Sequence, residues 1–249
     1  MNRSMLVTFR PLALLLVLAL TANLVAAQDY QFELPFFNHL QAGMHEQDVF
    51  VAQGDAVYRA TADTPVAAAL YASAEPVAHN PADPADVGPY PMGAHLGFTL
   101  ADWLAASGDL TVACEAGSAR VDVAFDALVP AATYTLWFSY IVMPPTVPFS
   151  VIDLPLGAVD GSQNAFATDA RGHAEVSITL EACPLLSQGP LATMIAISYH
   201  SDGQTHGFSP GAFGQNSHVQ LMAFLPSHAE LAAVASRPLM SAATGLYFP

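Results

Sequence analysis

The chain has 249 residues, 53% of them hydrophobic, and its six basic residues stand against 21 acidic ones for a formal net charge of −15. So acidic a chain repels phosphate backbones and anionic lipid, which argues against nucleic-acid and membrane-surface partners. All six bases are arginine, and the absence of lysine excludes Schiff-base chemistry and a lysine-dependent phosphate loop.

The opening segment MNRSMLVTFRPLALLLVLALTANLVAA, residues 1–27, combines basic residues at Arg3 and Arg10, an apolar run from Leu12, and small residues at Val25 and Ala27. That is the pattern of a secretory signal peptide cut before Gln28. Thr21 and Asn23 interrupt the apolar run and no basic cluster follows, so a leader explains the segment better than a membrane anchor. The expected location is secreted, periplasmic or in the cell envelope, with no membrane span in the mature chain. The remaining length suits one domain.

Residues 28–98 are expected to form an N-terminal arm and a Pro-rich loop packed on that domain. DVFVAQGDAVYRAT and PVAAALYAS read as strands, whereas HNPADPADVGPYPMG (79–93) is rich in proline and reads as irregular. His79 and His95, near its ends, read as ordinary surface histidines.

Residues 99–226 carry the signals of the main core. Thr99 caps a helix in LADWLAAS, with Asp102 at the third helical position, Leu100, Trp103 and Leu104 on one face, and Gly108 as the stop. LTVACE (110–115) and ARVDVAF (119–125) form a hairpin around Gly117 and Ser118. TYTLWFSYIV (133–142), HAEVSITLE (173–181), ATMIAISYH (192–200) and HVQLMAFL (218–225) read as further strands. Before Ala174 the segment DARG is a tight turn, with Asp169 as acceptor and Gly172 supplying a positive φ. Strands of this length and spacing predict a mainly β protein, an antiparallel β-sandwich of Ig-like or Greek-key type with one or two short helices. Residues 227–249 are expected to be a C-terminal helix and tail, in which Ser227 and Glu230 cap HAELAAVASR and Pro238 ends it. The two cysteines of an exported chain, Cys114 and Cys183, are expected to form a disulfide.

Candidate chemistry concentrates in YHSDGQTHGFSPGAFGQNSHVQ, residues 199–220. Its GFSPG has the letters of a nucleophile elbow, but the residue after Ser209 is Pro210, which has no N–H for an oxyanion hole. No catalytic set is therefore assigned. Strict alternation along the two flanking strands puts His200 and His218 on one side of the hairpin mouth, with His206 folding back from the loop and Asp202 nearby. Those four residues are the candidate ligands for zinc or copper, although no closely spaced histidine pair anchors them.

Other oxygen-rich stretches are explained without a ligand. GAVDGSQNAFATDARG (157–172) fails the spacing of a calcium loop and reads as turns. Asp122, Asp126 and Asp153 fall at solvent-facing or turn positions, which argues against a paired-carboxylate glycosidase. Tyr134, Trp137 and Tyr140 are the candidate binding surface, a sheet face for a glycan or protein partner if one side of that strand is exposed. The sequence thus predicts a secreted, non-catalytic binding or envelope module with an extracellular protein or glycan ligand. The alternative is an extracellular zinc or copper protein, enzymatic only if Asp202 serves as general acid or base.

Overall fold

A computed structural model describes residues 29–78, 87–145 and 150–235. The expected leader, His79, Pro238 and the tail lie outside the described residues. In chain order the elements are β1 (Tyr30–Pro35), β2 (Glu46–Gln53), β3 (Ala56–Thr61), β4 (Ala69–Ser73), β5 (Tyr90–Thr99), α1 (Leu100–Leu104), β6 (Ser107–Glu115) and β7 (Ser118–Asp126). They continue with β8 (Thr133–Val142), β9 (Val151–Pro155), β10 (Ala165–Ala167), β11 (Ala174–Leu180), β12 (Leu191–His200), β13 (Ser217–Phe224) and α2 (His228–Ala235). No helix among the described residues is long and apolar enough to cross a membrane.

Two antiparallel sheets make the sandwich that the strand pattern predicts. One runs β1-β6-β7-β11, and the other runs β10-β8-β12-β13 with β9 also paired to β8. Alternation explains the interior: Leu110, Val112, Val121, Val123, Phe125 and Ile178 from the first sheet join Tyr134, Leu136, Ile195, Ile197 and Leu221 from the second in one cluster. The β6–β7 turn consists of Ala116 and Gly117, both at positive φ (50° and 85°), which suits the right-handed twist of a two-residue hairpin. Ser118, read as part of the turn, already pairs with Glu115.

Between β1 and β6 the chain builds a second unit, a closed four-stranded barrel in which β2, β3, β5 and β4 pair in a ring. Both segments read as strands are present, as β2, β3 and β4. The fourth strand, β5, occupies part of the stretch read as irregular and contains Pro91, Gly93 and Gly97. So small a ring brings backbones close together. A Cβ at position 93 would stand 2.5 Å from the Ser73 carbonyl oxygen, so only glycine fits there.

Helix α1 has the expected capping box, with Thr99 N donating to Asp102 Oδ2 at 2.8 Å and Asp102 N donating to Thr99 Oγ1 at 3.3 Å. Its end differs from expectation. The helix stops at Leu104, and Gly108 is a strand residue of β6 on which the Phe125 ring lies, leaving no room for a side chain. Helix α2 opens with the Ser227–Glu230 box, whose Glu230 Oε2 accepts from Ser227 N at 2.7 Å.

Cys114 and Cys183 are bridged, with their Cα atoms 5.5 Å apart and the two residues 69 positions apart in sequence. Cys114 lies one residue from the end of β6 and Cys183 follows β11, so the bridge spans β7, which lies between those strands. Closing so long a loop removes chain entropy worth about 4 kcal/mol from the unfolded state. Replacing both cysteines by alanine should lower unfolding stability by up to about 4 kcal/mol, measured by urea denaturation. An unchanged midpoint would show that the sheet needs no staple.

The barrel is joined to the sandwich through Asp48, which also forms a buried ion pair inside the barrel. Arg59 Nη1 donates to Asp48 Oδ1 at 2.7 Å, and both side chains are fully buried. The second oxygen, Asp48 Oδ2, accepts from the Val219 backbone at 2.9 Å, and the Asp48 carbonyl accepts from His218 Nδ1 at 2.9 Å. Asp48→Ala should therefore cost roughly 3–5 kcal/mol, read as a fall in the thermal midpoint. A loss no larger than that of a surface aspartate would show that the junction does not depend on it.

Candidate metal site

The loop 201–216 leaves the sandwich between β12 and β13. The β12–β13 ladder pairs Ile197 with Leu221 but Ser198 with Val219, a bulge that gives β13 one extra residue at Gln220. Below the bulge the phase of β13 is reversed. His218 stands opposite Tyr199, whose ring is 5.9 Å from its own, and His200 stands opposite Ser217.

The expectation that His200 and His218 share a side is therefore overturned. The two histidines occupy opposite faces of the sheet. His218 is wholly buried between β13 and the barrel: its Nδ1 donates to the Asp48 carbonyl, which can only accept, and its Nε2 lies 3.3 Å from Ser201 Oγ. Burial holds its pKa below the usual histidine value, with Asp48 opposing and Arg59 adding to the shift. His218 is a structural residue of the junction.

His200, Asp202 and His206 are brought together, each offering a ligand atom within 4.8 Å of the other two. His200 is buried, and its Nε2 lies 2.7 Å from Thr135 Oγ1, which also accepts from Trp137 Nε1 at 2.7 Å. Its Nδ1 is buried and has no hydrogen-bond partner. His206 Nε2 is likewise buried and unpaired; it approaches Asp202 Oδ2 to 3.4 Å without the alignment of a hydrogen bond. The two imidazole centroids are 5.4 Å apart. Burial, reinforced by His206 and opposed by Asp202, pulls the His200 pKa from 6.5 down to about 4, so its ring is neutral at physiological pH.

The loop holds these groups by backbone and amide contacts. Asp202 Oδ1 accepts from Gln204 N and Oδ2 from Asn216 Nδ2, both at 3.0 Å, while Asn216 Oδ1 accepts from Ala212 N at 2.8 Å. Gly211, at φ +89°, backs the His206 ring: a Cβ there would come within 2.9 Å of His206 Cδ2. Ser209 sits in a turn, its N–H on the His206 carbonyl and its Oγ accepting from Gly211 N at 3.3 Å. Neither a strand before it nor a helix after it supports a nucleophile elbow.

The other candidates fall elsewhere. Tyr134 and Trp137 are 0% and 2% exposed and lie on opposite faces of β8, so with half-buried Tyr140 they make no aromatic platform. The expected binding surface is replaced by core: burial pushes the Tyr134 pKa far above its ordinary value, and its hydroxyl donates to Gln220 Oε1 at 2.6 Å. Asp122 pairs with Arg120, Asp126 with His173, and Asp153 accepts from Ser139. Asp160 and Asp169 cap turns. His95 is exposed on β5 beside Tyr71. The buried run Glu46, Gln47 and Asp48 carries no signal in the letters, since three polar residues at a strand start ordinarily read as a solvated edge.

No protein-family model matches the chain, and no curated protein or solved structure matches it either.

The buried rings set an acid response. Above pH 6.5 the folded and unfolded chains both carry neutral imidazoles at these positions; as pH falls toward 4, the unfolded chain takes up protons that His200 and His218 refuse. Stability in chelator should therefore drop across that window, by on the order of 3 kcal/mol from His200 alone, with a further loss from His218. Urea midpoints taken between pH 7 and pH 4 test this, and a flat profile would mean that the rings protonate in the folded state.

Proposed function

We propose that the chain is an exported protein that binds one divalent zinc or copper ion through His200, Asp202 and His206. The observation carrying this reading is that His200 Nδ1 and His206 Nε2 are both buried without hydrogen-bond partners, beside a carboxylate in the same cluster. An unpaired buried nitrogen costs its desolvation, and coordination to a cation recovers that cost. Two imidazoles and a carboxylate are the donors that borderline ions such as zinc and copper accept. In the ligating tautomer His200 Nε2–H donates to Thr135 Oγ1, an outer contact that fixes the ring.

Export is supported by the leader pattern at residues 1–27 and by the Cys114–Cys183 bridge, which an oxidising compartment preserves. Three protein ligands leave a coordination position open, and the half-exposed His206 and Asp202 put it on the solvent side. With Asp202 committed to the ion, the loop retains no separate general acid or base, which favours binding over turnover. A donor group from an extracellular protein or glycan is the natural fourth ligand.

Zn²⁺ titrated calorimetrically into chelator-stripped protein should bind one ion per chain and raise the thermal midpoint, worth about 2.7 kcal/mol when free zinc is a hundred times Kd. Asp202→Asn and His206→Ala should each abolish that rise, and Gly211→Ala should weaken it by pushing a methyl into the His206 ring. Failure of both Zn²⁺ and Cu²⁺ to bind the wild-type chain would sink the proposal.

A further inference from the structure

The outer face of the β8-β12-β13 sheet, away from the core, closes over a second and separate constellation. On this face Trp137, Ala196 and Met222 form a row across three strands, because Ala196 pairs with both Trp137 and Met222. Met194, two residues from Ala196 on the same strand, is a same-face diagonal neighbour of Met222, a separation that long side chains bridge. The segment before β2 docks on the edge of β13 through paired hydrogen bonds between Phe37 and Met222, both 2.8 Å. It then turns back, with Met44 N donating to the His39 carbonyl at 2.9 Å, so that His39 and Met44 come over the same patch.

His39, Met44, Trp137, Met194 and Met222 line one small cavity of about 20 Å³, enough for a single small occupant. His39, Trp137, Met194 and Met222 are buried, while Met44 is half-buried and forms the rim. Ser139 and Asp153 reach the same space, with Ser139 Oγ donating to Asp153 Oδ1 at 2.5 Å. The cavity is thus lined by three methionines, a histidine and a tryptophan, with Ser139 and Asp153 beside them.

We infer that this cavity is a copper(I) site, with Met44, Met194, Met222 and His39 as ligands and the Trp137 ring against the ion. Thioether and imidazole donors select soft Cu(I) over Zn²⁺, and an indole face attracts a desolvated cation. The two cysteines are joined to each other, so methionine is the soft donor this chain has left. The site uses no ligand of the His200–Asp202–His206 cluster and stands or falls without it. The two are roofed by one loop, since Pro210 and Phe213 of residues 201–216 close the cavity.

The test is an anaerobic competition between the folded full-length chain and a chromogenic Cu(I) chelator, with Cu(I) supplied as its acetonitrile complex. The wild-type chain should withhold one Cu(I), quench tryptophan fluorescence, and show sulfur neighbours of copper in X-ray absorption. Met194→Leu with Met222→Leu keeps the volume and apolar character of the patch. That variant should weaken Cu(I) binding by more than about 100-fold, beyond what an outer-contact change produces. Asp202→Asn with His206→Ala should leave Cu(I) affinity unchanged. The inference is overturned if copper is bound through nitrogen and oxygen only, if the double leucine variant binds as tightly as wild type, or if only the Asp202 and His206 changes release it. Should the leucine variant not fold, the absorption spectrum of the wild-type complex decides alone: no sulfur shell, no site.

Discussion

The carboxylate of Asp48 is a point at which the closed barrel and the open sandwich are fixed to each other. One oxygen takes Arg59 inside the barrel and the other takes the backbone of β13, while the carbonyl of the same residue takes His218. β13 is the last strand of its sheet, and an unpaired edge would expose backbone groups to other chains. Here the outward groups of Val219 and Met222 are occupied by Asp48 and Phe37. A buried ion pair gains little net stability over apolar packing, so its contribution is better seen as fixing where β13 sits. That position decides where the loop preceding β13 must close.

The bulge at Gln220 follows from the same junction. Gln220 turns inward to a line of polar partners, accepting from Tyr134 and donating to the Trp103 carbonyl, while Trp103 Nε1 donates to Gln47 at the start of β2. A polar side chain can occupy the interior only when its amide is satisfied at both ends, as it is here. The extra residue then rotates everything before it in β13 by half a period. Val219 leaves the core side and joins Met194, Ala196 and Met222, and His218 enters the barrel interface.

This is where reading by alternation loses its hold. In HVQLMAFL a period of two puts Val219 with Leu221 and His218 with His200, and nothing in the letters marks the bulge except a glutamine inside an apolar run. The cluster of His200, Asp202 and His206 was nevertheless legible, because those residues are close in sequence and one loop suffices to gather them. The hairpin around Gly117, the capped helix at Thr99 and the disulfide were legible for the same reason, each resting on local or compartment chemistry. The barrel was not, because β5 contains proline and glycine where strands ordinarily avoid them, and only the close approach of Ser73 explains Gly93. His39 and Met44 could not be linked to Met194 and Met222 at all, since at least 150 positions separate them and the linking contact is a single bridge at Phe37.

An aromatic strand such as TYTLWFSYIV ordinarily means one buried face and one wet one, yet β8 is buried on both, and its two faces differ in chemistry. Toward the core it offers Tyr134, Leu136 and Phe138; away from it, Thr135, Trp137, Ser139 and Ile141. The second set mixes hydroxyls with an indole, and its polar atoms are matched one to one: Trp137 to Thr135, Thr135 to His200, Ser139 to Asp153. A face meant only for packing would be aliphatic, since each buried hydroxyl must otherwise find a partner at a cost in design freedom. A face left to solvent would need no cover, whereas this one is roofed by the segments at 37–44 and 201–216. Polar atoms placed on a rigid strand and shut beneath two loops have their positions fixed to the precision of the sheet, which is what ligand atoms require.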